Sequence, residues 1–265
     1  MPHLITHRPR ESNLANSDPH HPSHRVWETT SALAYVIGGA TFVGGSICFF
    51  PALEAWLAVG DWLFFVGSLL YLLVTGHDLL EVIKYWRHHE TDTFADHIEF
   101  VTAWSYVIGT LCFLVGSLCF LPSLSWTLAG TWCFIAGSML FVLGGFVNIL
   151  QLVEAPSLLY MQLFALTVTS FLIGSALFVV ASVPYLWHLS GPDKPQIFAF
   201  VAWQFTAGSA LFLIGGVFIY YRKLVHDKLV ACFHLHSVGR IFVSGLRDEI
   251  RDKSHLSSHS TSDAG

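Results

Sequence analysis

Polar and apolar positions along this chain fall into long blocks. Six stretches are almost free of charge: about Ser31–Phe50, Trp56–Thr75, Val101–Leu121, Trp126–Val147, Met161–Val183 and Ile197–Tyr221. Each approaches the roughly 20 residues that a helix needs to cross a hydrocarbon layer. Among them the one ionisable acid or base is Asp61, near a segment end. Six such helices in a soluble protein would leave no charged face for water. The pattern therefore predicts an all-α integral membrane protein with six transmembrane helices.

The blocks repeat. Tyr35-Val36-Ile37-Gly38, then Phe42, then Gly45-Ser46 through Pro51, returns as Tyr106-Val107-Ile108-Gly109, then Phe113, then Gly116-Ser117 through Pro122. Trp56, Gly60, Trp62 and Gly67-Ser68 return as Trp126, Gly130, Trp132 and Gly137-Ser138. A third, degenerate copy aligns Gly174-Ser175 with Gly45-Ser46, and Trp203 with Gly208-Ser209 against Trp62 with Gly67-Ser68. Its turn, about Pro184 to Gln196, is longer. Each unit is a pair of helices, so all three hairpins are expected to point the same way. Inverted repeats, which support alternating access in many transporters, are not what this symmetry offers.

Glycines recur every seven residues, as in Gly38 and Gly45, Gly60 and Gly67, Gly109 and Gly116, Gly208 and Gly215, and the series Gly130, Gly137, Gly144. Seven residues are nearly two helical turns, so each set makes a groove along one face. Small residues there let backbones approach closely, the main source of helix association in lipid. Trp56, Trp126 and Trp187 fall near segment ends, where an interfacial belt places them.

Composition agrees, with 54% hydrophobic and 12% charged residues; soluble domains carry about 25% charge. The first 30 residues hold no apolar run of a cleavable signal peptide. Of 13 Lys and Arg, all but Lys194 fall in the N-terminal tail, the connection after the second segment, or the tail counted from Arg222. That bias predicts both termini in the cytoplasm. The net charge of -5 gives no argument for nucleic-acid binding. Cys48, Cys112, Cys119 and Cys133 lie in the apolar segments with no metal spacing, and read as packing residues.

Candidate chemistry is sparse. Intramembrane ionisable groups point by default to transport or catalysis. Asp61 reads as a solvated carboxylate at a helix end, with Thr131 as its counterpart. At the inner end, His77-Asp78-x-x-Glu81 aligns with Asn148-x-x-Gln151, Asp78 on Asn148 and Glu81 on Gln151. The spacing puts both polar groups on one helix face. They suit a cation, a neighbouring helix or, as the expected reading, a helix end emerging into water. From His77 to His97 the chain also carries His88, His89, Glu90, Asp92 and Asp96, ligands that suit a transition metal. Without a tight motif the stretch reads as a solvated loop. No catalytic motif or cofactor signature is found, so no enzyme activity and no cofactor are expected. Leu224 to Arg251 mixes apolar and basic residues as an interfacial helix does.

Gly45-Ser46-Ile47-Cys48-Phe49 with Trp62 and Gly67-Ser68-Leu69-Leu70-Tyr71, and Gly116-Ser117-Leu118-Cys119-Phe120 with Trp132 and Gly137-Ser138-Met139-Leu140-Phe141, resemble the bacterial YrhK-like domain. The resemblance implies a small two-helix membrane module without catalytic residues. The expected organisation is a tail over 1–26, a first YrhK-like repeat over 27–98, a second over 99–159, a degenerate third over 160–223 and a cytoplasmic tail over 224–265. The expected role is a structural or accessory protein whose partners are membrane lipid and a second copy or another membrane protein. A channel or transporter for a small solute is the alternative, with a metal-responsive protein as the weaker one. The directions of Ser46, Ser117, Ser138, Ser175, Ser209 and Thr206 discriminate. A shared void would favour transport, and helix contacts would favour a scaffold.

Overall fold

The computed structural model describes residues 23–88, 93–150, 158–187 and 191–225. Regular structure among them is helical: α1 (Ser23–Cys48), α2 (Leu57–His88), α3 (Phe94–Phe120), α4 (Thr127–Ile149), α5 (Leu158–Ser182) and α6 (Lys194–Val225). All six are long and apolar enough to cross a membrane. Short 3-10 helices at Pro51–Trp56 and Val183–Leu186 begin the turns after α1 and α5. Proline at their first or second position ends the α-helix before it, because it lacks a donor and clashes with the preceding turn. The chain divides into one compact unit over Met1–Lys223 and a second over Leu224–Gly265. Of the second, residues 226–265 lie outside the described ones, as does most of the expected interfacial segment. Residues 1–22 do too.

The boundaries depart from the sequence reading most at α1, α2 and the start of α3, which begins at Phe94 rather than near Val101. α1 begins at Ser23 rather than near Ser31, and α2 continues to His88 rather than ending near Thr75. The stretch from His77 to His97 is therefore not a loop. It is the end of α2 and the start of α3, with residues 89–92 between them outside the described set. Thr93 caps α3: its hydroxyl accepts from the Asp96 amide at 3.3 Å, and its own amide donates to the Asp96 carboxylate at 2.8 Å. That reciprocal capping box satisfies two orphan amides and assigns Asp96 a structural role. Trp86 stacks on Phe100 at 4.6 Å, joining the two helices. Mixed polar and apolar residues here mark an amphipathic pair, which a hydropathy run alone reads as loop.

Within each hairpin the helices meet at glycine. A Cβ on Gly109 would lie 3.0 Å from the Gly137 carbonyl oxygen, and one on Gly137 2.8 Å from that of Gly109. Gly174 and Gly208 meet in the same way at 2.9 Å in both directions. These contacts correct the alignment of the third copy. By sequence Gly174 falls on Gly116; by contact it takes the place of Gly109. A seven-residue glycine period makes a one-heptad shift nearly invisible in sequence. Between hairpins, α2 packs on α3 and α4 on α5. α6 returns to α1, where Cβ atoms on Gly39 and Gly216 would meet the Leu213 and Tyr35 backbones.

The middle of the bundle is aromatic. Phe64, Phe134 and Phe205, each three residues before Gly67, Gly137 and Gly208, form a triangle with ring separations of 5.8, 6.3 and 6.3 Å. One heptad further along, Tyr71 and Phe141 both pack on Phe212, at 6.0 and 5.8 Å. Phe178 bridges the layers, 5.8 Å from Phe113 and 5.5 Å from Phe212. Tilted and edge-on rings of this kind contribute about 0.5–1.5 kcal/mol per pair beyond simple burial.

Candidate functional site

Polar groups gather at the two ends of the bundle. The end away from the hairpin turns carries the larger set. The heptad phase that places Phe64 and Tyr71 on the axis next places Asp78; Phe134 and Phe141 lead to Asn148; Phe42 and Tyr35 lead back to Glu28. All three polar residues are buried, Asp78 at 2% and Asn148 at 0% exposure. His77 is buried as well, its ring 4.3 Å from Trp27. Glu81 is half-buried. These side chains do not emerge into water, contrary to the expected reading. The helices run on past the apolar blocks and cover one another. Asn148 lies beside the Tyr106 hydroxyl. Gln151 lies outside the described residues.

The sequence reading assigned Arg222 to the tail. It is instead fully buried in the last turns of α6. Its guanidinium lies 4.9 Å from the Phe164 ring centre and 5.4 Å from that of Tyr160, in cation–π range. It feels the charge of Asp78 across the bundle, and Glu28 lies near Tyr160. A buried charge needs a partner, because desolvation costs several kcal/mol per ion. For Arg222 the rings of Tyr160 and Phe164 lie in cation–π range, and Asp78 is among the groups whose charge acts on it. The missed signal was periodic: Arg222 continues Gly208 and Gly215 at seven-residue spacing, as Glu28 precedes Tyr35.

His77, Asp78 and Glu81 bring their ligand atoms within 4.8 Å of one another. This donor set suits a divalent ion. Nδ1 of His77 lies 4.0 Å from the Asp78 carboxylate, so the two are already neighbours within this set.

Asp61 lies at the opposite end, beside the turns. It is 5% exposed, not a solvated carboxylate. It faces a partly open cavity of roughly 200 Å³ lined by Phe49, Leu57, Phe120, Pro122, Thr127, Phe134, Tyr185 and Phe205. Pro122 and Tyr185, from the turns after α3 and α5, help to line this cavity, so residues distant in sequence share it with Asp61.

Five of the six small polar side chains are hydrogen-bonded within the protein. Ser46 donates to the Phe42 carbonyl at 2.8 Å and sits 2.8 Å from Ser209 across the α1–α6 contact. Ser117, Ser175 and Thr206 donate to carbonyls four residues back on their own helices. Ser138 is buried where α4 packs, and its hydroxyl has no partner among the described residues.

Fold and site together define a class: a six-helix bundle of membrane-length apolar helices, built from glycine-seamed hairpins, with an aromatic axis and buried polar ends. Residues 25–83 and 97–153 each match the family described as YrhK-like protein. Residues 160–223 fall outside both matches. No curated protein and no solved structure matches the chain.

Proposed function

We propose that this chain is a multi-pass protein of a bacterial inner membrane, arranged as three hairpins of the same sense with both termini cytoplasmic. In this reading it acts without catalysis, as a structural or accessory protein that packs with lipid and with a second copy or another membrane protein. Membrane insertion is supported by the outward face. Trp56, Trp62, Trp126, Trp132, Trp187 and Trp203 are each more than half exposed and lie towards the turn end, as an interfacial belt requires. Removing Arg222 from the tail leaves the Lys and Arg bias strong.

The observation that carries the scaffold reading is the Phe64, Phe134 and Phe205 triangle. Conduction needs a polar lining or a gate that can wet. Here three rings with centres 5.8–6.3 Å apart occupy the axis, and the hydroxyls of Ser46, Ser117, Ser175 and Thr206 are turned onto backbone carbonyls of their own helices. Reconstitution into liposomes tests the reading. Entrapped ions and small polar solutes are expected to leak at the rate of protein-free liposomes. Saturable, protein-dependent flux of any of them would establish the transporter instead.

A further inference from the structure

We propose that the cavity at the turn end is a binding site for a small organic ammonium cation. The inference stands on the cavity itself and does not need the scaffold reading. Its floor holds a carboxylate, Asp61, at 5% exposure. Asp61 makes no hydrogen bond or ion pair among the described residues. Five rings, those of Phe49, Phe120, Phe134, Tyr185 and Phe205, surround the remaining space. Asp61 and Tyr185 are electrostatic neighbours.

A carboxylate this little exposed, open only towards an aromatic cavity, gains from a counter-charge there. Lys194 does not fill the role: it is exposed, with its ammonium 5.8 Å from the Phe198 ring centre. Aromatic faces carry negative electrostatic potential and attract cations, most strongly where water is excluded. Rings and carboxylate thus ask for the same charge.

The lining also decides which cation. Calcium takes six to eight oxygen ligands and magnesium a near-ideal octahedron. Of the lining side chains only Asp61, Thr127 and Tyr185 carry oxygen; the others are hydrocarbon. A cation with its charge spread over methyl or methylene groups meets both demands. At roughly 200 Å³ the cavity is smaller than a drug-sized site, which selects a compact species such as a methylated amine. A free solute and a lipid headgroup share that chemistry.

The test is calorimetric titration of the full-length protein in a maltoside detergent, with tetramethylammonium and choline as probes and 3,3-dimethyl-1-butanol as the neutral isostere of choline. Both cations are expected to bind saturably and the alcohol not at all. Asp61→Asn is expected to weaken binding by at least about tenfold. Tyr185→Leu should weaken it as well, while Tyr185→Phe keeps it; thermal melting checks that each variant is folded. In nanodiscs, loss of tetramethylammonium binding on changing phosphatidylglycerol to phosphatidylcholine assigns the site to a headgroup, and retained binding assigns it to a free cation. Absence of saturable binding by the wild-type protein, or undiminished binding by a folded Asp61→Asn variant, overturns the proposal.

Discussion

Gly174 and Gly208 face each other so closely that a Cβ on either would come within 2.9 Å of the other's carbonyl oxygen. The clashing atoms are backbone on both sides, so no rotamer change relieves them. Gly174→Ala is therefore expected to destabilise the third hairpin by about 1–3 kcal/mol, the usual cost of overpacking. Gly76 supplies the contrast, since a Cβ there meets nothing within 4 Å. Gly76→Ala should be neutral or stabilise by up to about 1 kcal/mol through helix propensity. Denaturant titration in detergent, followed by circular dichroism, reads both.

A second expectation concerns ring closure. The Ser46 proton is committed to the Phe42 carbonyl, so Ser209 donates across the α1–α6 seam at 2.8 Å. Interhelical bonds of this kind average about 0.6 kcal/mol in membrane proteins. A double-mutant cycle on Ser46→Ala and Ser209→Ala should return coupling of about that size. Strict additivity would mean that the two hydroxyls are spectators.

Arg222 and Asp78 yield the largest expected effect. Removing one member of a buried charge pair leaves the other uncompensated, at a cost of about 3–5 kcal/mol. Arg222→Met should accordingly lower the melting temperature sharply. The double variant with Asp78→Asn should recover much of the loss. If that variant is no more stable than Arg222→Met alone, Arg222 is held by Tyr160 and Phe164 rather than by the carboxylate.

Topology is open to direct chemistry. In a cysteine-free background, Leu124→Cys in the turn after Pro122 and Ser257→Cys near the C-terminus should label from opposite sides of intact inner-membrane vesicles. Equal access of an impermeant maleimide to both positions would refute the three-hairpin arrangement with cytoplasmic ends.

Much of the bundle was legible from one sequence. Uninterrupted apolar runs located the helices, and the YrhK-like motif marked two hairpins that match the family. Glycines at seven-residue spacing announced close contacts, which the structure places at Gly109 with Gly137 and at Gly174 with Gly208. The candidate sites were less legible. Asp61, Asp78 and Asn148 stood out as polar residues at helix ends, and helix ends usually meet water. Their burial depends on neighbouring helices extending alongside them. Arg222 was hidden because a hydropathy run stops at the first charge, whereas the helix does not.

The sequence by itself determined which segments are helical, which faces carry glycine and where the apolar blocks stop. Those properties belong to a single helix and its solvent. Only the tertiary structure decided the heptad at which Gly174 meets Gly208, the closing of the axis by Phe64, Phe134 and Phe205, and the burial of Asp78 and Arg222. Such pairings join residues far apart in the chain. A period of seven admits several registers of similar local energy, and packing across the bundle selects one.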